Sequence, residues 1–350
     1  MVRLDKFFKK KKVFITGHTG FKGSWLAETL ITFGSNVKGY SLHDDKVKYY
    51  KKFINYKKLK SIYGDVSDYK KLRKEILNFK PDIIFHLAAQ PLVIEGYKNP
   101  YQTFKSNCLG VINILDISKE LKFLKSIIIV TTDKCYKINK GKKIYKENDE
   151  LGGLDPYSAS KAAAELIYYP YKNFLDKNKI GSATVRAGNV IGGGDFSENR
   201  IIPDCYKALD NKLLILRNPK SIRPWQHILD VINGYLILSM RLCFNPKKYS
   251  GSWNFGPSEK EKTVKKVAEE FRKNSKTKFK IKILKKRKDY KESEILKLDS
   301  NKAKKFLKWK QNLNFKNMLR ITVDWYTQYY FKKNCKVLTQ SQIKKFFNIY

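Results

Sequence analysis

Tyr157 and Lys161 lie four residues apart in the segment PYSASKAAAE, so on a helix they share one face. An ammonium held beside a phenol lowers the phenol pKa. The tyrosinate so formed can take a proton from a hydroxyl while hydride leaves the same carbon. In a chain with 22 tyrosines the spacing alone is common. Its position gives it weight, because it follows a β-branched run, SIIIVTT, that ends in Thr131 and Thr132 and continues into Asp133 and Lys134.

The elements that must position these residues begin with KVFIT, a short apolar strand that runs into GHTGFKG. Gly17, Gly20 and Gly23 sit between that strand and a helical rhythm in SWLAETLITFG, which stops at Gly34. One glycine permits the tight turn, one lets backbone approach a pyrophosphate, and one brings helix close to strand. The helix amino terminus then offers its unpaired N–H groups to phosphate, with Thr19, Phe21 and Lys22 in the same turn. The context points to a bound nicotinamide dinucleotide. The second strand, NVKGYSL, commonly ends in an acid that holds the adenosine ribose. Here Ser41 stands there, Asp44 and Asp45 come slightly later, and Lys38 and His43 are the nearby basic groups. These residues leave the choice between NAD and NADP open. In GDVSD, Asp65 and Val66 are placed to cover the adenine, although Asp65 serves equally well as a helix cap. Ala88 and Ala89, at the end of the strand PDIIFHLAAQ, leave room for a cofactor.

Helices are expected over residues 69–78, 99–121 and 156–178, and further strands in SIIIVTTDK and GSATVRAGNV. Strands alternating with helices at this spacing give an α/β fold, a Rossmann-type doubly wound parallel sheet. Beyond residue 190 the pattern loosens into glycine- and proline-punctuated loops, as in a smaller carboxy-terminal domain. The division expected is 10–190 for the dinucleotide and catalytic residues and 191–345 mainly for the substrate, with strand exchange between the two allowed for. FKIKIL, within a lysine-rich stretch, reads as an edge strand.

Composition narrows the function classes. No apolar run reaches the roughly 18 residues that span a bilayer, and the basic start runs straight into a strand, so a cytoplasmic protein is expected. The five cysteines are scattered and the histidines number four, so neither a disulfide framework nor a metal site is indicated. The formal net charge of +41 would suit a polyanion binder. The excess is mostly lysine spread through the chain, without a nucleic-acid-binding motif, and reads as a solvated basic surface.

The chain resembles the extended short-chain dehydrogenases/reductases, and among them the nucleotide-sugar 4,6-dehydratases, particularly the branch acting on CDP-glucose. The matching stretches are GHTGFKGSWL, HLAAQPLV, TTDKCY, DPYSASKAAAE, RAGNVIGGGD, IIPD, NPKSIRPWQHILD and WNFGP, spread from about residue 10 to 340. TTDKCY and SIRPWQH are far more specific than the tyrosine–lysine spacing. The resemblance implies Tyr157 and Lys161 as the redox pair, Thr132 as their hydroxyl partner, and NAD as cofactor. It implies that Asp133 and Lys134 carry the dehydration, Asp133 as general acid to the departing 6-hydroxyl. Lys134 acts as C5 base if it is neutral, and as an enolate stabiliser if it stays charged. Asn107 joins the cofactor residues by the same likeness. Gln90, Asn189, Arg200, Arg217, Arg223, Trp225 and His227 fall in segments that hold the nucleotide sugar, and Arg223 matches an arginine aimed at the pyrophosphate. Phe196 departs from the tryptophan that many relatives carry after GGGD. The likeness further implies a homodimer or homotetramer built through the long helices, and a role in deoxysugar synthesis for bacterial surface polysaccharide such as O-antigen. A 4-epimerase or a dehydratase of another nucleotide sugar is the alternative within enzymes, and a noncatalytic nucleotide- or nucleic-acid-binding protein the alternative outside them.

Overall fold

The computed structural model of the protein describes residues 2–43, 50–139, 141, 144–284 and 296–349. Asp44 and Asp45 therefore lie outside the described residues, as does the end of the lysine-rich stretch from residue 285. Among the described residues, the central sheet holds β1 (Lys12–Thr16), β2 (Asn36–Ser41), β3 (Leu59–Tyr63), β4 (Ile83–His86), β5 (Ser126–Val130), β6 (Gly181–Ala187) and β7 (Gly251–Phe255). They run in the order β7-β6-β5-β4-β1-β2-β3, and every pairing is parallel. The order reverses at β1 and β4, and in such sheets the crevice beyond the carboxyl ends at that reversal is where ligands bind.

Both faces of the sheet are buried, which is why its strands read as continuous apolar runs. Val13, Ile15, Phe85, Ile128 and Val130 face one core. Phe14, Ile84, Ile127 and Ile129, the alternate positions, face the other. The helices divide accordingly. Of α1 (Phe21–Thr32), α2 (Tyr69–Phe79), α3 (Gly110–Ser118), α4 (Pro156–Lys177) and α5 (Ile228–Phe244), the first and last supply the core with Val13, and the middle three the core with Phe14.

Local differences from the sequence reading have identifiable causes. Helix α1 starts at Phe21, three residues before the apolar rhythm does, because Gly20 already adopts the extended N-cap conformation. The helix expected over 99–121 is broken. Val93–Lys98 is followed by Pro100–Phe104, whose start is capped by Asn99, then by a wide π-type turn at Lys105–Leu109 before α3. The wide turn aims Asn107 at the site and delivers Gly110 against Val66, where an added Cβ would lie 2.8 Å from Val66 Cγ2.

Beyond residue 190 the chain returns to the sheet, since α5 packs against β5 and β6 and β7 extends the edge. The remaining elements include the helices Ile201–Asn211 and Val264–Asn274 and a parallel pair, Leu213–Leu216 with Lys280–Ile283. The latter strand is the one expected in FKIKIL. Helices α6 (Phe315–Tyr330) and α7 (Cys335–Phe347) pack together. Helix α7 also lies on α1, where Gln340 Nε2 donates to Glu28 Oε1 at 2.8 Å.

The three glycines after β1 do different things. Gly17 has φ +75°, and a Cβ there would sit 2.7 Å from Ala88 N. At Gly23 a Cβ would lie 2.1 Å from Gly17 O, an impossible distance. Gly20 is open, with only Gly17 O nearby, at 3.4 Å. Gly23→Ala is therefore expected to lower folding stability by about 3 kcal/mol or more through overpacking. Gly20→Ala should leave stability within about 0.5 kcal/mol while weakening dinucleotide binding. Denaturant unfolding and a binding titration on both variants check the contrast.

Candidate active site

Two segments meet at the end of β5. After Val130 the chain passes through Thr131 and Thr132 into a single 3₁₀ turn, Asp133–Cys135, where Thr132 Oγ1 accepts from Lys134 N at 3.4 Å. Opposite lies the start of α4, fixed by Asp155. Its carboxylate accepts from Ser158 N at 3.0 Å and from the Ser158 hydroxyl at 2.6 Å, and Pro156 occupies the first turn. Tyr157 and Lys161 thereby face the strand end, and the Lys161 ammonium donates to Val130 O at 3.0 Å. The Thr132 side chain hydrogen-bonds with the Tyr157 phenol, and its hydroxyl donates to Asp133 Oδ1 at 3.0 Å. Gly188 makes room for that carboxyl, since a Cβ there would be 3.0 Å from Asp133 Oδ2 and 3.5 Å from Pro224. The five residues read from the sequence as the reacting set thus come together, with Lys134 half-buried at the rim.

Burial dominates the electrostatics. It pushes the Tyr157 phenol up to about 12, against the help of Thr132 and Arg200. It lowers the Lys161 ammonium to about 8, and the neighbouring Lys22 charge adds to the fall. Lys22 is itself brought down to about 8 by burial and by Arg200. The Asp133 carboxyl is raised by burial, although Lys134, Thr132, Lys22 and Arg223 pull it the other way. A carboxyl raised by burial stands beside a crowd of cations.

The residues assigned to a cofactor surround the crevice between β1 and β4. Thr19 is tied to Ser41, its N–H and its hydroxyl both reaching Ser41 Oγ, at 3.4 and 3.1 Å. Ala88 N donates to Thr16 Oγ1 at 3.2 Å, and Ala89 follows in the same half-buried stretch. Asp65 turns its carboxylate to Ser67 N at 2.8 Å, while Val66 O receives Asn113 Nδ2. Asn107 accepts from Gln90 N at 2.8 Å and donates to the Ser160 hydroxyl at 2.8 Å. Ser160 in turn donates to Tyr157 O at 2.7 Å. Asn107 is therefore a brace between the β4 loop and the backbone of α4. Lys38 gives its ammonium to Glu75 at 2.6 Å.

The residues assigned to substrate divide into two groups. Arg200 is pinned by Asp195 at 3.0 Å and acts electrostatically on Tyr157 and Lys22. Arg223 acts on Asp133, and half-buried Asn189 lies next to Gly188. The others are engaged in bonds of their own. Gln90 bonds Leu92 and Thr103 and so shapes its own loop. Trp225 donates to Lys262 O at 2.9 Å, and Arg217 sits in an exposed pair with Asp204 and Asn199. His227 is fully buried, its Nδ1 capping α5 through Leu229 N at 3.2 Å. Phe196 joins an aromatic cluster with Tyr206, Tyr326 and Tyr329. His18, His86 and His227 are all buried, and burial lowers them to about 4, 3 and 3.

Several side chains of the site were not singled out by sequence reasoning. Asp195 and Ser160 lie inside quoted motifs, but their roles are to hold Arg200 and Tyr157. Glu165 and Arg186 form a buried ion pair directly behind the site. The only signal for that pair was a carboxylate four residues past Lys161 and an arginine inside an apolar strand.

A parallel Rossmann sheet with a tyrosine–lysine pair on the helix that faces the end of its fifth strand defines a short-chain dehydrogenase/reductase of the extended kind. A family model described as GDP-mannose 4,6 dehydratase matches residues 14–322, and the chain belongs to that family. It is 44% identical over 271 residues to a CDP-glucose 4,6-dehydratase of Salmonella typhimurium, spanning 75% of this chain and 76% of that protein. An epimerase of Methanothermobacter thermautotrophicus superposes with a TM-score of 0.83 at 21% identity, over 98% of this chain and 96% of that one. A dTDP-glucose 4,6-dehydratase of Bacillus anthracis, solved in complex with NAD, superposes with a TM-score of 0.74 at 20% identity, over 94% and 99%. These two superpositions speak for the fold.

The crowding of ammonium groups has a titration consequence. A cation whose pKa falls from 10.5 to about 8 loses its proton on the alkaline side of neutrality. For any nucleotide sugar the enzyme oxidises, kcat/KM should decline above pH ~8 as Lys161 discharges. Lys22→Met removes one cause of the lowering, so the decline should move to higher pH. A pH–rate profile of both proteins checks this, and an unmoved limb would remove Lys22 from the account.

Proposed function

We propose that the protein is an NAD-dependent CDP-glucose 4,6-dehydratase, a carbon–oxygen lyase forming CDP-4-dehydro-6-deoxyglucose and water. The observation that carries the reading is the Asp133–Lys134 turn set against Thr132 and Tyr157, since oxidation alone needs no second acid–base pair. The 44% identical Salmonella protein supports the nucleotide and sugar. Open space at Gly20 under the amino terminus of α1 fits a pyrophosphate. Engagement of Lys38 by Glu75 favours NAD, because that ammonium is not free for a 2′-phosphate.

When bound, the nicotinamide accepts hydride from C4 and returns it at C6. Tyr157 takes the proton of the 4-hydroxyl, with Thr132 orienting the phenol and Lys161 and Arg200 favouring the phenolate. The C4 carbonyl makes the C5 proton acidic, and Lys134, in its neutral form, removes it. Asp133, whose carboxyl burial raises, gives its proton to the 6-hydroxyl as the C6–O bond breaks and water leaves. Lys134 returns a proton to C5, and the proton first taken by Tyr157 restores Asp133. Cofactor and side chains end as they began. Arg223 and Arg200 are assigned to the diphosphate. Residues 10–190 are taken as the dinucleotide-binding part and 191–345 as mainly substrate-binding, apart from the return of α5 and β7 to the sheet. Five free thiols suit a reducing compartment, so we place the enzyme in the cytoplasm, serving deoxysugar synthesis for surface polysaccharide. Among the described residues no helix is long and apolar enough to cross a membrane.

A homo-oligomer is part of this reading. The helices at 93–118 and α4 pack together and leave Tyr97, Tyr101, Phe104, Leu166, Tyr169 and Phe174 exposed on the surface. A patch of large apolar groups of this kind fits a second copy of the chain. Tyr101→Glu combined with Leu166→Glu should at least halve the mass seen by light scattering while the far-ultraviolet dichroism stays unchanged.

The function is tested by offering CDP-glucose, dTDP-glucose, UDP-glucose and GDP-mannose with NAD and scoring loss of one water by mass spectrometry. CDP-glucose should turn over best, and Tyr157→Phe should reduce kcat by about 100-fold or more. Turnover of another nucleotide sugar alone would move the substrate assignment. Interconversion at C4 without water loss would favour an epimerase, and full activity in Tyr157→Phe would remove the mechanism.

A further inference from the structure

Glu165 follows Lys161 by four residues, so Tyr157, Lys161 and Glu165 line one buried face of α4. Its carboxylate receives Nε and Nη2 of Arg186 at 2.9 and 2.7 Å, and neither side chain touches solvent. Burial works against the carboxylate, but Arg186 outweighs it and holds the group below its ordinary value. The pair is ionised and reaches outward from both ends. Glu165 accepts from the hydroxyls of Thr131 at 2.5 Å, Thr184 at 2.7 Å and Ser252 at 3.2 Å. Arg186 Nη1 donates to the Tyr136 hydroxyl at 2.7 Å, and its guanidinium lies over the Tyr136 ring, 4.8 Å from the centroid. Tyr136 donates in turn to Asn254 Oδ1 at 2.8 Å.

Thr131 immediately precedes the segment 132–135 and Tyr136 immediately follows it. One ion pair therefore grips both ends of the turn that carries Asp133 and Lys134. We propose that Glu165 and Arg186, acting through Thr131 and Tyr136, are positioning residues for the dehydration half of the reaction. This rests on the dehydratase reading above.

The asymmetry between the two half-reactions follows from what else holds each set. Tyr157 and Lys161 are fixed by their own helix, by the Asp155 cap, by the Asn107–Ser160 brace and by Val130 O. The Asp133–Cys135 turn is a single 3₁₀ turn closed by two long bonds, Lys134 N to Thr132 Oγ1 at 3.4 Å and Cys135 N to Thr132 O at 3.5 Å, and tied outward by Gly152 N to Cys135 O at 2.8 Å. Its register against α4 is set by these few bonds and by its two flanks. A buried ion pair adds little net stability over a well-packed apolar pair. Its directional bonds do fix angles, and acid–base steps are sensitive to displacements below 1 Å.

Tyr136→Phe loosens the far flank without unpairing a charge. Rapid mixing with CDP-glucose follows C4 oxidation by the near-ultraviolet absorbance of reduced nicotinamide. Solvent deuterium entering C5 and loss of water follow the elimination. Oxidation should stay within about 2-fold of the parent while elimination slows about 10-fold or more. Reduced cofactor then builds up on the enzyme, and KM is little changed. Arg186→Lys, which keeps a cation but cannot reach both Glu165 and Tyr136 as a fork, should show the same partition together with a lower melting temperature. Equal slowing of both half-reactions in Tyr136→Phe, or slowing of neither, overturns the positioning role. A parent enzyme that dehydrates none of the nucleotide sugars offered would instead overturn the dehydratase reading, so the two failures are distinct.

Discussion

Every strand of the central sheet points the same way, and so every strand delivers its carboxyl end to one edge. That constraint decides where chemistry can happen in this chain. It brings the turn after β1, the small-residue end of β4, the Thr131–Tyr136 segment after β5 and Gly188 after β6 to one crevice. Helix α4 then crosses back with Tyr157 and Lys161 turned toward β5, held by the bond from Lys161 to Val130 O. The reacting groups span residues 132 to 161 in sequence, yet they meet because the parallel connection requires a helix between β5 and β6.

Charge and burial act in opposition throughout the site. Lys22, Lys161, Arg200 and Arg223 are gathered around Tyr157 and Asp133. Burial and mutual repulsion lower the two lysines, and burial raises the carboxyl of Asp133. The net charge of +41 is a separate matter, since most lysines among the described residues are exposed outside this crevice.

The parts of the fold that sequence made legible are those set by local pattern. The glycine turn, the alternation of strands and helices and the tyrosine–lysine spacing all express backbone sterics or periodicity within a few residues. The parts that were not legible depend on partners distant in sequence. Asn107 looks like any helix residue until the wide turn at 105–109 links it to Ser160, 53 residues on. His227 lies in a motif-like loop, yet its ring is taken up by capping α5. Gln90 bonds Leu92 in its own loop and Thr103 on the helix Pro100–Phe104, which no spacing rule anticipates. The link from Glu165 to Arg186 joins a helix to a strand, and only the assembled sheet brings them into register.

The buried histidines carry a consequence for the behaviour of the molecule in acid. His18, His86 and His227 are held neutral down to about pH 4, 3 and 3, whereas an unfolded chain would protonate them near 6.5. Below 6.5 the unfolded state therefore binds more protons than the native one. Each ring then withdraws about 1.4 kcal/mol of stability per pH unit until its folded pKa is reached. Three such rings acting together oppose folding on mild acidification, against the opposite pull of Asp230, whose carboxyl burial raises to about 7. The protein keeps its lysine charge at pH 5, but the histidines beneath its glycine turn, β4 and α5 favour the unfolded chain there.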